Sequence, residues 1–61
     1  MDLIGFIGKK VKIVLADSYY YIGEVLNADE NSIDLLDIKG NRVAIAKISI
    51  STIQEVKSNG Y

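Results

Sequence analysis

Residues Lys9–Asp29 read KKVKIVLADSYYYIGEVLNAD, and the alternation inside them decides the fold. Val11, Ile13 and Leu15 recur at every second position, with Lys10, Lys12 and Val14 between them. A period of two belongs to a strand with one buried face. Asp17-Ser18 follows; both side chains can bond nearby backbone, so a turn is expected there. Tyr19 to Ala28 then reads as a second strand, with Tyr21, Gly23 and Val25 in phase. Gly23 has no side chain, which suits a strand that bends to serve two halves of a sheet. The three adjacent tyrosines cannot share a face, because strand neighbours alternate. Tyr21 is expected inside, Tyr19 at the rim and Tyr20 outside.

The same reading extends in both directions. NADEN (Asn27–Asn31) is a polar loop, and SIDLLDI (Ser32–Ile38) is a third strand. KGN (Lys39–Asn41) is a tight turn in which Gly40 permits positive φ. RVAIAKISI (Arg42–Ile50) is a fourth strand and STIQEV (Ser51–Val56) a short fifth. Ile48 and Ile50 alternate, but the step from Ile50 to Ile53 is odd, so a bend or bulge is expected between Lys47 and Ser51. Upstream, Met1–Gly8 is apolar. One short helix over residues 2–8 is expected against the barrel end, weakened by Gly5 and stopped by Gly8. Residues 57–61 read as a polar tail. The fold expected is all-β: a small five-stranded, strongly bent antiparallel barrel of the SH3-like kind, with a short N-terminal helical turn. The chain reads as a single domain over 1–61, with the strands within 9–56.

Composition narrows the chemistry. The chain has 61 residues, no Cys, no His and no Pro, and 49% of it is hydrophobic. Disulfides, thiol nucleophiles, imidazole bases and zinc sets other than carboxylates are thereby excluded. A domain this small buries only about 60% of its unfolded surface. So apolar a chain is expected to complete its core by self-association. The formal net charge of −1 provides no overall basic field for nucleic acid. The cations are nonetheless clustered at Lys9, Lys10 and Lys12, at Lys39 and Arg42, and at Lys47. No apolar run reaches membrane-spanning length and no export signal is read, so a cytoplasmic protein without membrane contact is expected.

Two segments carry a family resemblance. FIGKKVKIVLADSYYYIGEVLNAD (Phe6–Asp29) resembles the first motif of the Sm-like (LSm) family. The matching positions are Val11, Ile13, Leu15, Asp17, Ser18, Tyr21, Gly23, Val25 and Asp29. IAKISISTIQEV (Ile45–Val56) resembles the second motif in its Hfq form, which ends in Tyr-Lys-His-Ala-Ile-Ser-Thr; Lys47, Ile50, Ser51 and Thr52 match in order. The resemblance implies five bent strands and a six- or seven-membered ring. The ring closes by pairing the fourth strand of one subunit with the fifth of the next. It also implies binding of single-stranded RNA, U-rich or A-rich. Strand closure would remove the exposed edges that a lone barrel carries. The chain departs from the family at its base-reading places. Asn31 stands where the family stacks a base on an aromatic, and the family's base-bonding Asn falls on Ile33 by direct count or on Ser32 with a one-residue gap. Ala46-Lys47 stands for the Arg-Gly pair, and Ile48 stands for the His of the Hfq form.

The expected RNA-binding residues are Asp29, Asn31, Ser32 and Lys47. Asn31 and Ser32 offer hydrogen bonds to a base edge, Lys47 offers a cation to phosphate, and Asp29 holds the loop. The plainer readings are a solvated turn and an exposed strand lysine. Lys9, Lys10 and Lys12 read as the outer face of a strand more readily than as a phosphate patch. Glu30, Asp34 and Asp37 offer carboxylates to a hard cation, but they alternate with Ile33 and Leu35 as on a half-exposed strand. No nucleophile–base pair and no Gly-rich phosphate loop is present, so neither an enzyme, a metal site nor a cofactor is expected. The rival reading is a structural or protein-interaction barrel that forms an oligomer without binding RNA.

Overall fold

A computed structural model describes residues 1–57. Five strands form in the expected order: β1 (Lys10–Leu15), β2 (Tyr20–Ala28), β3 (Ser32–Asp37), β4 (Arg42–Ala46) and β5 (Ile50–Glu55). They make one antiparallel sheet in the order β4-β3-β2-β1-β5.

Connection lengths force this sheet to curl. Laid flat, its two edge strands would stand about 19 Å apart, at roughly 4.8 Å per neighbour. Yet β4 and β5 are joined only by Lys47–Ser49. The covalent steps from Ala46 to Ile50 reach at most about 14 Å when fully extended. The sheet must therefore curl so that β4 and β5 approach at that end, giving an open barrel in which these two strands do not pair with each other. β2 carries most of the bend: its first half pairs with β1 (Ile13↔Tyr21, Lys10↔Glu24) and its second half with β3 (Gly23↔Asp37, Ala28↔Ile33). Gly23 lies where the two pairings overlap. A Cβ built there would stand 2.1 Å from the Leu36 carbonyl oxygen and 2.6 Å from Asp37 Cα. The backbones approach so closely that only glycine fits.

The alternation read from β1 to β3 matches the burial. Val11, Ile13, Val25, Ile33, Leu35 and Ile45 are buried, joined by Leu3, Ile50 and Val56. Tyr21 is half-buried against this core. Tyr19 and Tyr20 are 55% and 54% exposed, as their parity and position require. The expected turns form as well. Ser18 has φ 74° and Gly40 φ 88°, and the Tyr19 N–H donates to the Asp17 carboxylate at 3.0 Å.

Two expectations are corrected. The expected N-terminal helical turn forms, but it is a single 3₁₀ turn at Ile4–Phe6, shorter than the expected span 2–8. With Gly5 inside it and Gly8 at φ 83°, nothing local extends it, and Leu3 docks it on the core. The fourth strand ends at Ala46 instead of running to Ile50. The phase break expected between Lys47 and Ser51 is a second 3₁₀ turn, Lys47–Ser49, and β5 starts at Ile50. That turn removes Ile48 from the strand alternation and leaves it 93% exposed. Of the expected polar tail, residues 58–61 lie outside the described residues.

Candidate nucleic-acid interface

The β2–β3 loop is organised by one carboxylate. Asp29 Oδ1 accepts the N–H of Asn31 at 2.8 Å, the N–H of Ser32 at 2.9 Å and the Ser32 hydroxyl at 3.3 Å. This is the local bonding that Asp favours in turns. The donated backbone N–H of Asn31, then that of Ser32, holds the Asp29 carboxyl below its ordinary pKa. A depressed folded-state pKa means that the turn is held firmly above the ordinary carboxylate range and loosens as the pH falls through the lowered value. Asp29→Ala removes the acceptor at any pH. At neutral pH its amide hydrogen exchange is expected to show Asn31 and Ser32 deprotected, while Val25, whose N–H donates to Lys9 O at 3.0 Å, stays protected. Unchanged protection at Asn31 and Ser32 would refute the turn's dependence on this carboxylate.

The loop is tied to the β4–β5 turn by one backbone bond: the Lys47 N–H donates to the Asn31 carbonyl at 2.8 Å. Two residues distant in sequence thereby share one hollow of about 290 Å³. Asp29, Glu30, Asn31 and Lys47 line one side of it, and Met1 to Ile4 the other. Asn31 is exposed and Lys47 half-buried. Ser32 does not join them: it lines a smaller recess with Asn27 and Asp34, and its hydroxyl serves Asp29. Three of the four expected residues therefore gather, and the fourth supports the turn. The side-chain charge around the hollow is Lys47 against Asp2, Asp29 and Glu30.

Several other charged groups have local partners. Lys9 pairs with Glu55 at 3.5 Å, Lys12 lies 4.8 Å above the Tyr20 ring, and Arg42 pairs with Asp34. Asp37 accepts the N–H groups of Lys39 at 2.9 Å and Asn41 at 3.0 Å within the β3–β4 turn. Among the described residues, no cluster of three or more carboxylates is arranged to hold a metal ion, and no helix is long and apolar enough to cross a membrane.

Sequence reasoning missed a second concavity, of about 380 Å³, where Tyr19, Tyr20 and Ile22 meet Ile38 and Lys39. The tyrosine run was the available signal, but Ile38 and Lys39 arrive only through pairing, with the Ile38 N–H donating to Ile22 O at 2.9 Å. Tyr19 and Tyr21 stack edge to face there, with ring centres 5.1 Å apart and planes at 68°.

No family model matches the chain, and no curated protein does. Solved structures do match. One, described as the pleiotropic translational regulator Hfq, superposes with a TM-score of 0.76 at 22% identity, over 85% of this chain and 88% of that one. The chain has the Sm-like fold. At this identity the likeness establishes the architecture, which agrees with the motif resemblance at Phe6–Asp29. Within the Sm-like barrel, the hollow lies where the β2–β3 loop and the β4–β5 turn converge.

Proposed function

We propose that this Sm-like barrel is a non-catalytic cytoplasmic protein. It closes into a homo-oligomeric ring of six or seven copies and binds single-stranded RNA, U-rich or A-rich, at the ring opening. The observation that carries the RNA reading is the Lys47–Asn31 backbone bond. It brings a lysine and an asparagine together on adjoining loops, residue types that can serve a phosphate and a base edge. Asp29 holds the loop and Ser32 completes the turn. A ring repeats Lys47 six or seven times around one axis, so its cations act together on a polyanion although the chain is weakly acidic overall.

Ring closure is supported by the two ends of the sheet. β4 and β5 are both edge strands, and their Val43 and Ile53 are only half-buried. Pairing β4 of one copy with β5 of the next would satisfy both edges and cover those side chains.

The rival, a structural or protein-interaction oligomer without RNA, is favoured by the three carboxylates around Lys47. The two readings part in one titration. Labelled oligo-U and oligo-A are expected to bind saturably, and more weakly at higher salt. Lys47→Ala is expected to weaken binding about tenfold and to flatten the salt dependence by roughly 0.7 for each phosphate that is no longer neutralised. No binding at tens of micromolar protein would leave the rival standing. Light scattering tests the ring separately, and a monomeric mass would defeat it.

A further inference from the structure

Pairing β4 with β5 covers the two edge strands and leaves bare the end of the barrel where β2 begins and β3 ends. Tyr19, Tyr20 and Ile38 stand there at 55%, 54% and 66% exposure, three of the nine exposed large apolar residues among those described. We infer that this face seats a second copy of the chain, so that two rings stack face to face about two-fold axes. The stacking of rings rests on the ring reading above; the pairing of copies does not.

Two hollows meet at Ile38 on this face. The tyrosine hollow, of about 380 Å³, has Tyr19 and Tyr20 in its wall and Lys39 beside them. The other, of about 390 Å³, is lined by Gly8 and Gly23, whose missing side chains leave room, and by Lys10, Glu24 and Asp37. A two-fold axis through Ile38 lays the tyrosine half of each copy on the glycine half of the other. One patch then serves both partners, as an isologous contact requires. Charge agrees with shape. The tyrosine half carries a lone cation, Lys39, and the glycine half sets two carboxylates against one lysine. Asp37 is engaged by its own turn, accepting the Lys39 and Asn41 N–H groups. Glu24 is exposed and makes no ion pair among the described residues, so it is the carboxylate left for Lys39 of the other copy. The face is also held in place, since the Ile38 N–H donates to Ile22 O at 2.9 Å. Nucleic acid suits it less well. Two carboxylates share the face, the Lys12 ammonium already lies 4.8 Å above the Tyr20 ring, and Tyr19 and Tyr21 are engaged with each other. In a ring, six or seven such contacts close at once, so an apposition that is weak for one pair is strong for the assembly. A chain that is 49% hydrophobic has the surface to bury.

Light scattering after size-exclusion chromatography reads the assembly. Wild type is expected at twice the mass of a single ring. Ile38→Asp puts an unpaired carboxylate into the contact and is expected to halve that mass. Lys39→Glu sets like charges against each other and is expected to do the same. Adding Glu24→Lys to Lys39→Glu is expected to restore the wild-type mass, a rescue that no loss of folding can mimic. Affinity for oligo-U and oligo-A is expected to stay within about twofold in Ile38→Asp, because Asn31 and Lys47 lie at the other end of β2 and β3. A single-ring mass for wild type would overturn the inference and leave the ring reading standing. A wild type of two copies that Ile38→Asp reduces to one would keep the pairing and defeat the ring. A monomeric wild type defeats both. Unchanged mass in Ile38→Asp, or a charge swap that restores nothing, would overturn the two-fold contact. Loss of oligonucleotide affinity in Ile38→Asp at unchanged mass would assign the face to nucleic acid instead.

Discussion

Gly23→Ala is expected to cost this protein about 3 kcal/mol or more, at the top of the range for overpacking. The added methyl would meet the Leu36 carbonyl oxygen at 2.1 Å and Asp37 Cα at 2.6 Å. Both are backbone atoms of the paired strand, so no side chain can swing aside. Relief requires β2 and β3 to separate where β2 turns from one half of the barrel to the other. A domain of this size has a total stability of about 3–9 kcal/mol. The substitution therefore uses much of it and is expected to lower the melting temperature by roughly 12–24 °C, if the protein folds at all. Circular dichroism melts at fixed protein concentration provide the measurement, because an oligomer's apparent stability shifts with concentration. A variant that melts with wild type would show that the close approach at Gly23 is dispensable.

Leu35→Ala is expected to cost about 2–5 kcal/mol by leaving a cavity in the middle of the barrel. Leu35 is 0% exposed, on the central part of β3 between Val25 and Val43. Its hydrogen-bonded neighbours cannot collapse into the space it leaves. Leu36 is the control. One position along, it points to the opposite face and is 36% exposed, so Leu36→Ala should stay within about 0.5 kcal/mol of wild type. Chemical denaturation of both variants tests the face assignment of β3 directly. A larger loss at Leu36 than at Leu35 would mean that the strand is turned over.

Much of the site is legible from local sequence. Asp29 holds the loop as expected, with bonds to the next few residues, which sequence spacing alone can anticipate. The gathering of Asn31 with Lys47 is expected only through family resemblance, since nothing in either segment points to the other. The bond that joins them exists because the barrel closes. Ser32 illustrates the opposite case. Its position near the loop is as expected, but the loop's own hydrogen bonding claims its hydroxyl.

Period-two alternation and turn chemistry determined the strands, their faces and Gly23 as the bend. These are nearest-neighbour effects, written into side-chain parity and backbone freedom. The end of the fourth strand shows where that logic stops. Parity carries the fourth strand on to Ile50, whereas closing two edges through a short connection requires a 3₁₀ turn. Only the tertiary structure decided that Ile48 stands in solvent, that Lys47 meets Asn31, and that Ile38 and Lys39 join the tyrosines. Each follows from barrel closure and strand pairing between segments far apart in the chain, where local sequence pattern carries no information about distance.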